Sequence, residues 1–166
     1  SSAPATTPSG TVTNHLSGRP RVFVDADVLL AACASPSEHG ASLVVLRLAE
    51  ITLIEAFTCQ QVIVEARRNL AEKLPQAEPL FGTIVSRCLK IVPDPSDEQV
   101  ARYAGCGHEE DLPILVAAAR EGCRWLVSHN VRHFRPGCAG VEVLRPGAFI
   151  LAVRDVLSRL GAERRE

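Results

Sequence analysis

Residues 21–31, RVFVDADVLLA, end a short apolar run in two carboxylates that lie two residues apart. The run PRVFV is rich in β-branched and aromatic residues, which is typical of a buried strand. Ionised carboxylates are costly to bury without a partner, yet apolar residues resume directly after Asp27. Asp25 and Asp27 are therefore expected where the first strand ends, and they are the first candidates for a functional site.

Strand-like and helical patterns alternate along the rest of the chain. The predicted strands are PRVFV, TLIEAFT, LKIV, RWLVS and VEVLR. The predicted helices are EHGASLVVLRLAEI, QQVIVEARRNLAEKL, EPLFGTIVSRCL, SDEQVARYA, LPILVAAAREG and PGAFILAVRDVLSRLG. Alternation of this kind implies βαβ crossovers. We therefore predict an α/β fold, a three-layer α/β/α sandwich with a central, mostly parallel five-stranded sheet.

Several of these helices have recognisable ends. Pro75 is expected to stop QQVIVEARRNLAEKL, because proline has no backbone N–H to continue a helix. Ser96 is a candidate N-cap for the short helix that follows it. Pro113 belongs in a first helical turn, and Gly122 is expected to end the same helix. This assignment places Asp111 at or just before the start of that helix.

Composition is that of an ordinary globular protein, with 46% apolar and 22% charged residues. The length of 166 residues predicts one domain, which we place at residues 19–160. Residues 1–18 are rich in Ser, Thr, Pro and Gly and lack the apolar core of a secretory signal, so a flexible tail is expected there. Residues 161–166 are expected to form a C-terminal tail.

Cysteine usage and hydropathy bear on the compartment. The six cysteines are scattered through apolar stretches, without a C-x-x-C motif or a zinc-like spacing, which favours a reducing cytoplasm. No uncharged apolar run approaches the roughly 20 residues that a membrane span needs. The net charge of -1 gives no general attraction to nucleic acid, although basic residues could still be grouped locally.

Four polar positions are expected to meet at one edge of the sheet, where ligands bind in folds of this class. They are Asp25, Glu65 in the helix after strand two, Asp111, and Asn130 after strand four. Each has a purely structural alternative: the two aspartates could cap helices, Glu65 could be a solvated helix charge, and Asn130 could be a turn residue. Independent capping does not require all of them to converge, so their shared edge favours one site.

Three carboxylates and an amide oxygen form an oxygen-only donor set. Such a set suits Mg²⁺ or Mn²⁺ rather than Zn²⁺. A bound divalent ion acidifies water and offsets charge on a phosphate. The constellation therefore favours metal-assisted phosphodiester hydrolysis.

Four segments, in order, give the chain a resemblance to a known family. They are VFVDADVLLAA, VIVEARRNL, EDLPILVAAAREGCRWLVSHNVRHF and VEVLRPGAFI. Over residues 20–155 the sequence resembles PIN-domain proteins, of the kind found as VapC-like toxins of prokaryotic toxin–antitoxin pairs. The resemblance implies a PIN-like parallel sheet between helices, and an Mg²⁺- or Mn²⁺-dependent ribonuclease.

Carried over residue by residue, the resemblance assigns the family's acidic quartet of catalytic and metal-binding residues to Asp25, Glu65, Asp111 and Asn130. It also places two supporting polar residues. Ser128 falls where the family has a small hydroxyl residue near the metal, and Asp27 where it often has Asn or another small polar residue.

Two departures from the family pattern lie after strand four. Asn130 stands where Asp is usual and contributes no charge, so weaker metal binding is expected. His129 replaces a common Gly and could crowd the site. These changes keep open an alternative, a catalytically impaired PIN-fold module that binds RNA or protein. Arg132, His133 and Arg135 follow closely and are candidate nucleic-acid-binding residues through phosphate contacts, although a solvated loop is the structural alternative.

A different enzyme class is a weaker alternative. VFVDADVLL also resembles the first motif of haloacid-dehalogenase-type phosphatases, in which Asp25 would be the nucleophile and Asp27 the general acid/base. That mechanism needs a later lysine, and no lysine follows Lys90. The partners expected for the favoured interpretation are an RNA substrate, a small antitoxin protein and a second copy of the chain, with no membrane.

Overall fold

The computed structural model describes residues 18–34 and 40–164, in which five strands alternate with helices. The strands are β1 Arg21–Val24, β2 Glu55–Cys59, β3 Leu89–Val92, β4 Trp125–Val127 and β5 Glu142–Leu144. The α-helices are α1 Ala26–Ala34, α2 Gly40–Glu50, α3 Gln60–Lys73, α4 Glu78–Cys88, α5 Asp97–Ala101, α6 Leu112–Arg120 and α7 Pro146–Glu163. Two 3₁₀ segments, Pro75–Ala77 and Val131–Phe134, complete the regular structure of these residues.

All five strands are parallel and lie in the order β3-β2-β1-β4-β5. The predicted α/β class with a central five-stranded parallel sheet is therefore confirmed. The strand order reverses direction between β1 and β4, because β2 and β3 extend from one side of β1 and β4 and β5 from the other. This reversal is the point at which open parallel sheets bind ligands, just beyond the carboxyl ends of the strands.

The core is built on both faces of the sheet. Val22, Phe23 and Val24 of β1 are all fully buried, although successive side chains of a strand point to opposite faces. Trp125 of β4 and Phe149 of α7 are also buried, and their rings meet edge to face with centroids 5.7 Å apart. Helices thus cover the sheet on both sides, which leaves the strand edges and ends for polar chemistry.

Local signals for helix ends agree with the structure. Pro75 ends α3 and begins a 3₁₀ segment. Ser96 caps α5, accepting a hydrogen bond from the Gln99 backbone while the Gln99 side chain accepts one from the Ser96 backbone. Pro113 lies in the first turn of α6, and Gly122 follows the end of that helix with a φ of 66°.

Helix α1 was not among the predicted elements. Its sequence, ADVLLAACA, is almost uniformly apolar, so it has no polar face from which a helical period could be recognised. Its residues Val28, Leu29 and Ala32 are buried. The helix begins directly after Asp25, and that position decides how the carboxylate is held.

The predicted boundaries are wrong at the start of β2 and at the end of α7, where residues 161–163 are helical instead of belonging to the predicted tail 161–166. Residues 52–54 form a turn before β2 rather than the start of the strand, and Thr52 has a φ of 66°. Helix α7 continues through Gly161 to Glu163, because one glycine costs a helix only about 1 kcal/mol. The predicted N-terminal tail, apart from Gly18, and the first two residues of EHGASLVVLRLAEI lie outside the described residues. Among the described helices, none is long and apolar enough to cross a membrane.

Candidate functional site

Asp25 is held at the junction of β1 and α1. Its backbone N–H donates to Val127 O at 3.1 Å, which continues the pairing of β1 with β4 by one residue. The residue as a whole is only 6% exposed. Oδ1 accepts a hydrogen bond from the Ala26 N–H at 2.7 Å, and Oδ2 accepts one from Ser128 Oγ at 2.7 Å. The carboxylate is therefore fixed in orientation by donors on both of its oxygens.

Ser128 links Asp25 to a second carboxylate. The buried Ser128 hydroxyl lies 3.3 Å from Asp27 Oδ2, and this oxygen also accepts the His129 N–H at 3.0 Å. The Asn130 N–H donates to Ser128 Oγ at 3.0 Å. Asp27 Oδ1 is buried and has no hydrogen-bond partner among the described residues. Two carboxylates thus share one hydroxyl, and one of their four oxygens is buried without a donor in the part of the chain that the structure describes.

The pKa shifts show that negative charge accumulates at this edge of the sheet. Burial raises the pKa of Asp25 above its ordinary value and the charge of Asp111 adds to this, while the hydrogen bond from Ser128 opposes it. Burial and the nearby charge of Asp25 raise the pKa of Asp27 to about 7. Partial burial raises the pKa of Glu65, and the charges of Asp25 and Asp111 raise it further. The carboxylates of Asp25, Glu65 and Asp111 are therefore close enough to repel one another.

Glu65 and Asp111 line the same cavity, which has a volume of about 640 Å³ and also receives Arg68. Glu65 is on the exposed side of α3, and Asp111 lies at the start of α6. Gln61 connects α3 to the segment before α6, because its Nε2 donates a hydrogen bond to Glu110 O at 3.1 Å. The three predicted carboxylates reach this edge from three separate segments of the chain.

Asp111 does not cap α6 through its side chain, so the capping alternative does not describe it. Its Oδ2 lies 3.2 Å from His133 Nδ1. The ring of His133 stacks on that of His108, with centroids 4.6 Å apart and planes 12° from parallel. His133 was a candidate phosphate ligand and is instead paired with a carboxylate. His108 was missed, and its only signal was its position three residues before Asp111.

The segment after β4 contains Asn130, Arg132 and Arg135. Asn130 is exposed, and its backbone O accepts the His133 N–H at 3.0 Å, which begins the 3₁₀ segment. Its backbone therefore acts as a turn residue, while its side chain makes no capping hydrogen bond. Arg132 and Arg135 are exposed on the same segment. The two arginines are thus accessible to a ligand at the strand ends.

His129 was expected to be a source of crowding. Its Nε2 lies 3.2 Å from Ser42 Oγ of α2. Asp27 and His129 line a second, largely apolar cavity of about 390 Å³ together with Leu30 and Leu70. The histidine ring thus contacts the α2 side of the site, away from the cavity shared by Glu65 and Asp111.

A comparison with protein families identifies the family of the chain. A PIN domain family model matches residues 21–132, and no curated protein matches the chain by sequence. VapC20 of Mycobacterium tuberculosis, described as a sarcin–ricin loop cleaving toxin, is 17% identical with a TM-score of 0.50, over 63% of this chain and 86% of that one.

Two further solved structures are similar. VapBC2 from Rickettsia felis, bound to a DNA fragment from its promoter, is 16% identical with a TM-score of 0.57, over 75% of this chain and 98% of that one. PAE2754 from Pyrobaculum aerophilum is 19% identical with a TM-score of 0.55, over 86% of this chain and 96% of that one. At these identities the similarity shows a shared fold.

Proposed function

The chain belongs to the PIN domain family, and on that premise we propose that it is a divalent-metal-dependent ribonuclease. The observation that carries the proposal is that Glu65 and Asp111, which lie in separate segments of the chain, line one cavity, and the raised pKa values of Asp25 and Glu65 support it. Gathering three carboxylates from separate segments raises the electrostatic free energy of the fold, and a bound cation would lower it. Such an arrangement is expected of a functional site rather than of a structural one.

The residues present fit Mg²⁺ or Mn²⁺. Asp25, Glu65 and Asp111 would hold the ion, and the amide oxygen of Asn130 would be a fourth, neutral ligand. All four are oxygen donors, the type that hard divalent cations prefer. The unpartnered Asp27 Oδ1 adds negative charge beside them. A bound ion of this kind supplies an acidified water and offsets the charge that develops on a phosphodiester during hydrolysis.

The chain's own groups orient the site and bind the substrate backbone. Ser128 fixes the carboxylate plane of Asp25 through its 2.7 Å hydrogen bond. Arg132 and Arg135, exposed just after Asn130, would bind RNA phosphates. Because His133 is paired with Asp111, we assign it a smaller share of phosphate binding than the arginines.

A cleavage assay tests the proposal. Full-length protein is incubated with mixed RNA in Mg²⁺, in Mn²⁺ or in EDTA, beside the variants Asp25→Asn and Asp111→Asn. We expect cleavage in either metal, none in EDTA, and rates at least about 100-fold lower in both variants, since loss of a mere supporting residue already costs a metal site about 10- to 100-fold. Cleavage that persists both in EDTA and in the variants would rule the mechanism out.

The second candidate is a PIN-fold module that binds RNA or protein and cleaves poorly. Its support is Asn130, an exposed, uncharged residue whose backbone N–H donates to Ser128 Oγ. RNA binding that is retained without metal-dependent cleavage would favour it. The variant Asn130→Asp should then gain cleavage, because it restores a charged ligand. The phosphatase alternative has no comparable support, since the chain matches the PIN domain and no lysine follows Lys90.

We also propose a biological setting, a cytoplasmic toxin of a toxin–antitoxin pair built as one domain over residues 19–160. The support is the fold shared with VapC20 and VapBC2. A small antitoxin protein would then cover the strand ends. Expression of the chain should arrest growth, and co-expression of a short neighbouring reading frame should relieve it. Sedimentation of the purified chain would test the proposed homodimer.

A further inference from the structure

We propose that His108, Asp111 and His133 form a binding site for a divalent transition-metal ion, which shares Asp111 with the oxygen-only site and adds two histidine ligands of its own. One ligand atom from each residue lies within 4.8 Å of the other two. His133 Nδ1 is already 3.2 Å from Asp111 Oδ2. The His108 ring lies against the His133 ring at 4.6 Å. Rotation of the two imidazole rings out of their stacked arrangement would bring all three donors onto one ion.

The backbone holds these residues together independently of their side chains. The His108 N–H donates to His133 O at 2.8 Å, and the Asp111 N–H donates to His108 O at 2.9 Å. Gly107 makes this approach possible, because a Cβ at that position would lie 2.9 Å from His133 O. Two segments 25 residues apart are thus fixed side by side. A site whose ligands are prearranged in this way loses little conformational entropy when it binds an ion.

The donor set selects the class of ion. Two imidazole nitrogens and one carboxylate oxygen suit Zn²⁺ and neighbouring transition ions, whereas Mg²⁺ prefers oxygen ligands alone. The ligands are accessible from solvent, since His108 is exposed and the side chains of His133 and Asp111 are 45% and 24% exposed. Three protein ligands also leave coordination positions for water, as in the open zinc sites of proteins.

Asp111 belongs to both sites, and this connects them. Its Oδ2 lies beside His133, and the same residue lines the cavity with Glu65. A transition ion bound to the two histidines would withdraw negative charge from Asp111 and so weaken Mg²⁺ binding there. The inference does not rest on the ribonuclease proposal, because ion binding can be measured without RNA.

Calorimetric titration of the metal-free full chain with Zn²⁺ tests the site. The wild type is compared with His108→Ala and His133→Ala. We expect each cluster variant to bind Zn²⁺ at least about tenfold more weakly, the lower end of what loss of a supporting residue costs a metal site. Matched controls are His129→Ala, a nearby histidine outside the cluster, and Glu109→Gln, an exposed carboxylate two residues from Asp111. Both controls should keep the wild-type affinity.

A parallel titration with Mg²⁺ separates the two sites. His108→Ala should keep its Mg²⁺ affinity, whereas Asp111→Asn should lose both ions. If His133→Ala is shown by circular dichroism to unfold, His108→Ala alone decides, because the exposed His108 ring can be truncated without opening the core. A wild-type chain that does not bind Zn²⁺, or equal Zn²⁺ affinity in the wild type and His108→Ala, would overturn the proposal. Absence of RNA cleavage would overturn only the ribonuclease.

Discussion

The acidic residues at the two ends of strands β1 and β2 have pKa values that are shifted in opposite directions. At the amino end, Glu55 lies 2.5 Å from Lys90 Nζ and 3.7 Å from Arg21 Nε. The hydrogen bond from Lys90 is the main cause that lowers the pKa of Glu55. At the carboxyl end, burial and neighbouring carboxylates raise the pKa values of Asp25 and Glu65. Cations of the chain neutralise the acid at the amino end, whereas the carboxyl end gathers the carboxylates that we propose hold an ion.

The largest expected effect is on the rate of RNA cleavage, in a comparison of two glutamates that are ten residues apart. Glu65→Gln should lower RNA cleavage at least about 100-fold, or roughly 2.7 kcal/mol of transition-state stabilisation, because a charged ligand is lost. Glu55→Gln, the same chemical change at the amino end, should leave cleavage within about twofold of the wild type. Initial rates on one labelled RNA at saturating Mg²⁺ measure both. Equal losses in the two variants would remove the functional distinction between the ends.

Ion binding should stabilise the fold through the carboxyl end alone. At a Mg²⁺ concentration of about 100 Kd the free energy of unfolding should rise by about 2.7 kcal/mol, which raises Tm by about 5–10 °C for a chain of this size. Thermal unfolding with and without Mg²⁺ measures the shift. Glu55→Gln should keep the shift and Asp25→Asn should abolish it. A shift that survives in Asp25→Asn would place the ion elsewhere.

In the absence of metal, removal of a carboxylate charge should change the free energy of unfolding in opposite directions at the carboxyl and amino ends of the strands. Asp27→Asn should raise the free energy of unfolding by about 1 kcal/mol, because it removes a charge from a buried carboxylate with an unpaired oxygen. Glu55→Gln should lower it by less than about 1 kcal/mol, since the ion pairs it breaks are partly exposed. Urea unfolding in EDTA at pH 7 compares the two. Destabilisation by Asp27→Asn would show that the fold itself requires this charge.

Features that depend on neighbouring residues in the sequence were predictable. An apolar run that stops at Asp25 marks a strand end, and Pro75 and Ser96 mark helix ends. The edge at which Asp25, Glu65 and Asp111 meet also follows, because parallel strands have their carboxyl ends on one side. Local pattern and strand direction were therefore sufficient to predict most of the sheet, while the shared site of the carboxylates stays a prediction.

Features that depend on pairing between distant segments were not predictable. His133 meets His108 and Asp111 only because the segment after β4 hydrogen-bonds to the segment just before the start of α6. The His129 ring contacts Ser42, a residue 87 positions away in the sequence. Helix α1 was missed for another reason, since a helix that is apolar on nearly all sides gives no periodic signal. In each case tertiary packing, rather than local preference, fixed the arrangement.

The smallest expected effect is the loss, at low pH, of the stability that Glu55 contributes at the amino end of the strands. A carboxyl group whose pKa is lowered by folding stabilises the protein above its unfolded pKa, here about 4.5, and this contribution is lost as the pH falls through the lower folded value. The stability difference between the wild type and Glu55→Gln should therefore be constant above about pH 5 and shrink from about pH 4.5 downward.

Its size should stay below about 1 kcal/mol, because the Lys90 side chain is 60% exposed and solvent screens the pair. Urea midpoints of both chains at a series of pH values, in EDTA so that no ion binds at the other end, measure the difference. A difference that widened on acidification would show that Lys90 and Arg21 do not stabilise the Glu55 carboxylate. Glu55 would then not be neutralised by these cations. The amino end would resemble the carboxyl end, and the contrast on which the ligand site is argued would be lost.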